Sequence, residues 1–293
     1  MLALRSVLAI PLADTAAIAA ARGSGADAVL LDLAVPASHP ERTGSRAIVG
    51  EAIEAIGATG RPVLVRLASA SSGELEADIA AAVGPRLAAV VLSATELPQD
   101  TRDADVLLRK YEMRHNITPG AVRLIPEIDS AVGLQALPTI LEAVDRHTAV
   151  ALNLARLHGS LGLGSRSRAP HDHLMAAVAL AARAADLPWL LGSFDAARVR
   201  TEAPHAHEFG AAGAIIHSEA SARGLNSLFT PDPGVVAAAR TTLDAWATLR
   251  ATGKLSGVVS HDGHALPVDR RAMRHARLVI ARADAIATRE RVK

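Results

Sequence analysis

Six side chains in this sequence are of the kinds that hold or move charge beside a carbonyl group: Asp32, Arg66, Glu127, Asp129, Arg156 and His217. Each falls near the end of a short apolar run. A guanidinium can grip a carboxylate or an enolate oxygen through two parallel hydrogen bonds. A carboxylate or an imidazole can carry a proton or take part in binding a cation. Glu127 and Asp129 are two residues apart, so on a strand they share one face and both can point the same way. Other chemistries are poorly supplied. There is no cysteine, which removes disulfides, thiolate metal sites and a cysteine nucleophile. Lys110, Lys254 and Lys293 lie away from the ends of the apolar runs, which argues against a Schiff-base mechanism. The glycines of Gly159–Gly164, followed by Arg166 and Arg168, lack the Gly-Lys-Ser/Thr ending of a phosphate loop. His171 with His173, and His205 with His207, face apart on a helix and read as solvated helix entries.

The elements that must position these groups alternate along the chain. Apolar runs at Ser6–Leu12, Ala28–Ala34, Pro62–Ala68, Ala88–Ser93, Val122–Ile128, Thr148–Leu154, Pro188–Phe194 and Ala214–His217 predict eight strands. Helical patterns separate them at Ser45–Ile56, Glu74–Val83, Ala104–Arg114, Leu134–Val144, His173–Ala185 and Ala203–Phe209. Eight such repeats predict an α/β fold, a closed (β/α)8 TIM barrel, whose chemistry gathers at the C-terminal ends of the strands. The competing open sheet lacks its dinucleotide turn, because Ile10-Pro-Leu-Ala-Asp14 follows the first run. Half of the residues are hydrophobic but only 2% are aromatic, so aliphatic side chains must fill the core. We expect the barrel over residues 1–230. The tail, 231–293, is expected to hold a long helix at Asp232–Thr252, a turn-rich segment at Gly253–Pro267 and a last helix from about Val268 to Ala287, serving as a lid or an oligomer contact.

A net charge of +1 gives no electrostatic case for nucleic acid or an anionic membrane. No apolar stretch approaches the length of a membrane span. The opening apolar residues fit a buried first strand better than a signal, which predicts a cytoplasmic protein.

A colinear series of segments resembles the citrate lyase beta-subunit / HpcH–HpaI aldolase family. It comprises Arg5-Ser-Val-Leu-Ala-Ile-Pro11, Ala28-Val-Leu-Leu-Asp-Leu33, Leu64-Val-Arg66, Val90-Val-Leu92 with Glu96, and Ile128-Asp-Ser-Ala-Val-Gly133. Towards the end come Ile216-His217, Asn226, Phe229-Thr-Pro231 and Asp262-Gly263. The resemblance implies a phosphoenolpyruvate/pyruvate-type barrel that makes or breaks a carbon–carbon bond beside a carbonyl, on an oxo-acid or an acyl-CoA thioester. It implies magnesium as the Lewis acid that steadies the enolate, Arg66 as a catalytic contact to substrate, and Asp32 and His217 as further substrate contacts. Asp262 corresponds to a residue that reaches a neighbouring protomer's site in relatives, as an acid or base. A trimer or hexamer is implied as well.

The departures from that pattern matter as much as the matches. The family's metal-binding Glu is replaced by Asp129, and twenty-seven residues later, where its second carboxylate stands, the chain has Arg156. A guanidinium offers donors only and cannot ligate magnesium. Glu127 with Asp129 would be left to hold a weak site. We expect instead that Arg156 takes the metal's place and pairs with Asp129. Asp32-Leu-Ala-Val35 has lost two following carboxylates, Ser93-Ala94 replaces a Pro-Lys pair, Leu191-Gly192 lacks the usual acid before glycine, and Ala214 and Ser218 replace a Lys and a Pro. Two readings follow. One is a carbon–carbon lyase or aldolase working through Arg66 and Arg156 without the usual magnesium. The other is a degenerate paralogue that binds a small carboxylate or a protein partner without turnover.

Overall fold

The computed structural model describes residues 1–293 other than 35–37, 164–167, 195 and 293. They form two compact units, Leu4–Phe229 and a smaller one of Met1–Ala3 with Thr230–Lys293.

In the larger unit eight parallel strands close into a barrel in sequence order. They alternate with helices: β1 (Ser6–Pro11), α1 (Thr15–Ala21), β2 (Ala28–Asp32), α2 (His39–Gly57), β3 (Val63–Leu67), α3 (Leu75–Ala82), β4 (Leu87–Leu92) and α4 (Pro98–Arg114). The second half continues with β5 (Arg123–Ile128), α5 (Ala131–Glu142), β6 (Val150–Leu152), α6 (Leu154–Ser160), α7 (Arg168–Ala184), β7 (Trp189–Phe194), α8 (Ala196–Glu208), β8 (Gly213–Ile216) and α9 (Ala222–Leu228). Every residue of β2 and β3 is buried, which is why these strands read as continuous apolar runs rather than alternating ones. Each buried Leu or Ile contributes roughly 1.5–3 kcal/mol relative to an exposed one. The cylinder closes where β8 meets β1, with Ser6 opposite Ala214 and Leu8 opposite Ile216. A Cβ at Gly213 would overlap the Leu4 carbonyl at this seam, so the position admits only glycine.

Buried ion pairs lock the end of the barrel where the strands begin. Arg5 grips Asp27 through Nε (2.8 Å) and Nη2 (2.9 Å), tying the starts of β1 and β2. Ser6 Oγ bonds Asn226 Oδ1 at 2.7 Å, so Asn226 is a joint between α9 and β1. Arg146 joins Asp105 and Glu112 of α4. Next to it His147 is buried, with Nδ1 3.3 Å from the Leu141 carbonyl.

Several helices begin earlier than the periodicity predicts, because prolines mark their first turns. Ser38 caps α2 in a reciprocal capping box with Glu41, with proline in the first turn. Pro98 opens α4, where Asp100 accepts from the backbone of Glu96 and Leu97 at 2.9 Å each. Pro204 lies inside α8, which starts at Ala196 rather than at Ala203. Strand β6 is shorter than expected because Asn153 turns the chain into α6, a helix the sequence reading did not contain.

In the smaller unit α10 (Pro233–Ala251) is capped by Asp232 and packs against α11 (Arg270–Val292). The segment between them, expected to be only turn-rich, is an antiparallel hairpin of β9 (Gly257–His261) and β10 (His264–Val268). Asp262 and Gly263 form its tip with φ of 48° and 80°, the conformation of a two-residue type I′ turn. Among the described residues no helix is long and apolar enough to cross a membrane.

Candidate functional site

The strand ends of the barrel bring Asp32, Arg66 and Glu127 into one cluster. Arg66 is buried at the end of β3. Its Nη1 donates to Asp32 Oδ2 at 2.6 Å and its Nη2 to Glu127 Oε1 at 3.2 Å. The register explains the first contact, since Asp32 and Arg66 are direct partners across β2 and β3. Asp32 spends its other oxygen on the Ala34 backbone N–H, 3.0 Å away. Burial alone would lower the Arg66 pKa, but Glu127 and Asp32 raise it above its ordinary value, so the cation persists. Arg66 Nε and Ser93 Oγ are buried and have no hydrogen-bond partner among the described residues.

Glu127 is almost fully buried on β5. Burial pushes its pKa up, Arg66 pulls it down, and Asp129 and Asp32 raise it again. Its Oε1 also accepts from Asn153 Nδ2 at 3.4 Å. Asn153 ends β6 and caps α6, its Oδ1 accepting from the Arg156 backbone N–H at 3.2 Å. That cap sets Arg156 on the first turn of α6, where Nη1 lies 3.5 Å from Asp129 Oδ2. The Asp129 side chain is 8% exposed and that of Arg156 is 59% exposed, so the pair spans the boundary between mouth and solvent. Burial raises the Asp129 pKa, Arg156 lowers it, and Glu96 raises it further.

The loop after β4 is pressed onto this cluster. Thr95 N donates to the Glu127 carbonyl at 3.1 Å, and Ala94 adopts a left-handed φ of 46°, strained for a residue other than glycine. Gly133, behind the Ser130 cap of α5, lies so close that any Cβ would overlap the Thr95 carbonyl oxygen. His217 sits exposed just beyond β8 and bonds the Ala9 backbone. Partial loss of water and the charge of Arg66 lower its pKa, while Asp32 raises it.

Asp262 belongs to the smaller unit, with its side chain 86% exposed and His261 Nε2 3.6 Å away. Val35, Gly164 and Arg166 of the sequence reading lie outside the described residues, and nothing is described of the Arg168 side chain. Asn153 was missed, although an Asn before an apolar helical stretch is a recognisable cap. One histidine of each pair differs from expectation, while His173 and His207 are exposed. His171 is buried against His158, and His205 Nε2 lies 2.6 Å from Asp172. These rings are not solvated helix entries, because they pack between helices rather than along one.

The family model of the HpcH/HpaI aldolase/citrate lyase family matches residues 5–218. The chain belongs to this family. Among similar proteins is a (3S)-malyl-CoA thioesterase of Cereibacter sphaeroides, 25% identical over 295 residues, covering 97% of this chain and 95% of that one. A citrate lyase from Burkholderia xenovorans has a TM-score of 0.67 at 15% identity, over 96% of this chain and 92% of the other. The protein CitE from Mycobacterium tuberculosis, in complex with magnesium, acetoacetate and coenzyme A, has a TM-score of 0.61 at 21% identity, over 96% and 100% of the two chains. At those identities the two structures show the shared fold.

Magnesium, which the resemblance to this family implies, does not fit the residues present. A hard dication takes oxygen ligands, commonly one or two carboxylates. Here Asp32 is committed to Arg66 and Ala34, Glu127 Oε1 to Arg66 and Asn153, and Asp129 faces a guanidinium. Among the described residues no group of three or more His, Asp or Glu side chains is arranged to hold a metal ion.

Proposed function

We propose that this member of the HpcH/HpaI aldolase/citrate lyase family is a carbon–carbon lyase for a small oxo-acid or its acyl-CoA thioester. Two guanidinium groups, Arg66 and Arg156, do the electrostatic work there without the usual magnesium. The observation that carries the reading is the Arg156–Asp129 contact at the barrel mouth, beside an Arg66 clamped by Asp32 and Glu127. In a 3-hydroxyacyl substrate, Asp129 takes the hydroxyl proton and the bond between C2 and C3 breaks. Its electron pair moves onto the acyl carbonyl, giving an enolate that the guanidinium groups stabilise. C3 leaves as a carbonyl and the enolate carbon is then protonated, the candidate acid being Asp262 reaching the site of a neighbouring protomer. A raised carboxylate pKa suits Asp129 to this exchange. Asp32 and His217 border the substrate on the opposite side. The relative named as a malyl-CoA thioesterase supports a CoA thioester as substrate class. The tail as a lid or contact in a cytoplasmic trimer or hexamer belongs to the same reading.

A second reading, a paralogue that binds a small carboxylate or a protein partner without turnover, is favoured by both Asp32 oxygens already accepting a hydrogen bond within the protein and by Ala34 and Ala94 replacing charged residues of the family pattern. Calorimetry with magnesium on the wild type and on Arg156→Asp tests the first reading, with no binding expected in the wild type and binding gained in the variant. Tight binding by the wild type returns a metal-dependent lyase. Incubation with (3S)-malyl-CoA under a chelator separates the rest. Acetyl-CoA with glyoxylate supports the lyase, free CoA indicates thioester hydrolysis, and no product favours the second reading.

A further inference from the structure

Behind Arg156, α6 is anchored by a second polar contact that the proposed chemistry does not use. His158, two residues beyond Arg156, is buried, with its ring centroid 4.1 Å from that of His171 on α7. His171 Nε2 and His158 Nδ1 are 3.2 Å apart. A hydrogen bond between two imidazoles needs one N–H and one bare nitrogen, so the pair must share protons unequally. His171 Nδ1 faces Glu202 Oε2 of α8 at 3.8 Å. His158 Nε2 is buried with no partner among the described residues.

Only one arrangement of the neutral pair leaves no buried N–H stranded. His158 Nδ1 donates to His171 Nε2, and His171 Nδ1 points its proton at Glu202. An added proton, with Glu202 as counter-ion, makes His171 a donor at both nitrogens. His158 must then accept at Nδ1 and carry its own proton on Nε2, a buried N–H with nothing among the described residues to receive it. Such a group is costly enough to drive local rearrangement. The ring can relieve that cost by turning outward, and it is fixed to a helix of only seven residues.

We propose that the His158–His171 pair is a positioning device for Arg156, holding α6 against the site in its neutral form and releasing it on proton uptake. Among the described residues, the charged groups facing the pair are Arg198 and Glu202 on α8. Beside them His205 of α8 is engaged by Asp172 of α7 and by Glu208. Strands β6 and β7, on which α6 and α7 pack, contain no titratable residue, and α5 contributes only the exposed Glu142. The inference rests on Arg156 being the second guanidinium of the site.

The test is calorimetric binding of oxaloacetate, both of whose carboxylates stay ionised from pH 8 to 5.5, to wild type and to His171→Gln. The glutamine keeps a hydrogen-bonding amide and removes the ring that would take the added proton. Wild-type affinity is expected to fall at least tenfold on acidification, while the variant changes by less than twofold. His158→Gln, which removes the pair from its other side, is expected to behave alike and replaces His171→Gln should that variant fold poorly. A wild-type fall that survives in both variants overturns the proposal. If oxaloacetate does not bind at pH 8, the functional reading of Arg156 fails, and nitrogen-15 NMR of the Arg156 Nε–H decides the relay. Broadening in step with the His171 ring signal, absent from His171→Gln, supports it; a signal indifferent to His171 overturns it.

Discussion

Asn153 holds Glu127 with one end of its amide and Arg156 with the other, donating from Nδ2 to the carboxylate at 3.4 Å and accepting at Oδ1 from the backbone at 3.2 Å. A single side chain thus couples the buried carboxyl on β5 to the helix that carries the exposed guanidinium.

Asn153→Ala removes a cap and a buried hydrogen bond together. Each is worth about 1 kcal/mol, so urea denaturation is expected to show a loss of about 2 kcal/mol. Asn153→Ser restores the cap alone and is expected to recover about half. A serine variant as stable as wild type would show that the contact to Glu127 contributes nothing.

Gly133→Ala forces a methyl group against the Thr95 carbonyl. Overpacking of this kind costs about 1–3 kcal/mol, and the strain should displace the loop that Thr95 pins to Glu127. Thermal denaturation is expected to show the loss, with weakened oxaloacetate binding. An unchanged melting temperature would mean that the close approach is not maintained in solution.

Asp27→Asn breaks the buried ion pair with Arg5. Removing one partner of such a pair costs about 3–5 kcal/mol. Because the pair lies at the strand starts and not at the mouth, ligand affinity of the folded fraction is expected to stay within twofold. A parallel loss of affinity would contradict that separation.

His147 gives the fold a pH dependence of known sign. Burial lowers its pKa from 6.5 to about 4. Below pH 6.5 the unfolded chain therefore takes up a proton that the folded one refuses. The contribution to stability is complete above pH 6.5 and is lost as the pH falls toward 4, on the order of 3 kcal/mol in all. Urea titrations at pH 7 and pH 4.5 are expected to show a smaller acid loss in His147→Gln than in wild type. Identical losses would assign the acid sensitivity elsewhere.

Clustering of Asp32, Arg66 and Glu127 could be read from the residues alone because a barrel places its strand ends on one rim, and each of these residues closes an apolar run. The Arg156–Asp129 contact was expected from spacing and resemblance, and the structure puts the two groups 3.5 Å apart. What stayed hidden depends on packing between helices. His158 and His171 are thirteen residues apart and meet only because α6 and α7 lie side by side, which no periodicity within either helix encodes. The β9–β10 hairpin was hidden differently. Asp262-Gly263 is a turn pair, but its immediate neighbours are His261 and His264 and β-branched residues come only at Val258, Val259 and Val268, so the strand signal is weak beside two long helices. Prolines misled where they open helices, at Pro98 and within the first turn of α2, or sit inside one, at Pro204.

The two guanidinium groups of the mouth differ in how much freedom a ligand would take from them. Arg66 is held from both sides by carboxylates and is buried, so its rotamers are already fixed and little entropy remains to be lost on contact. Arg156 has one long contact and a largely solvated side chain, and freezing such a chain costs up to about 2 kcal/mol. Ligand capture would therefore begin on a rigid anchor and finish with an ordering event at the rim, and a calorimeter should register that second step as unfavourable entropy that disappears when Arg156 is shortened.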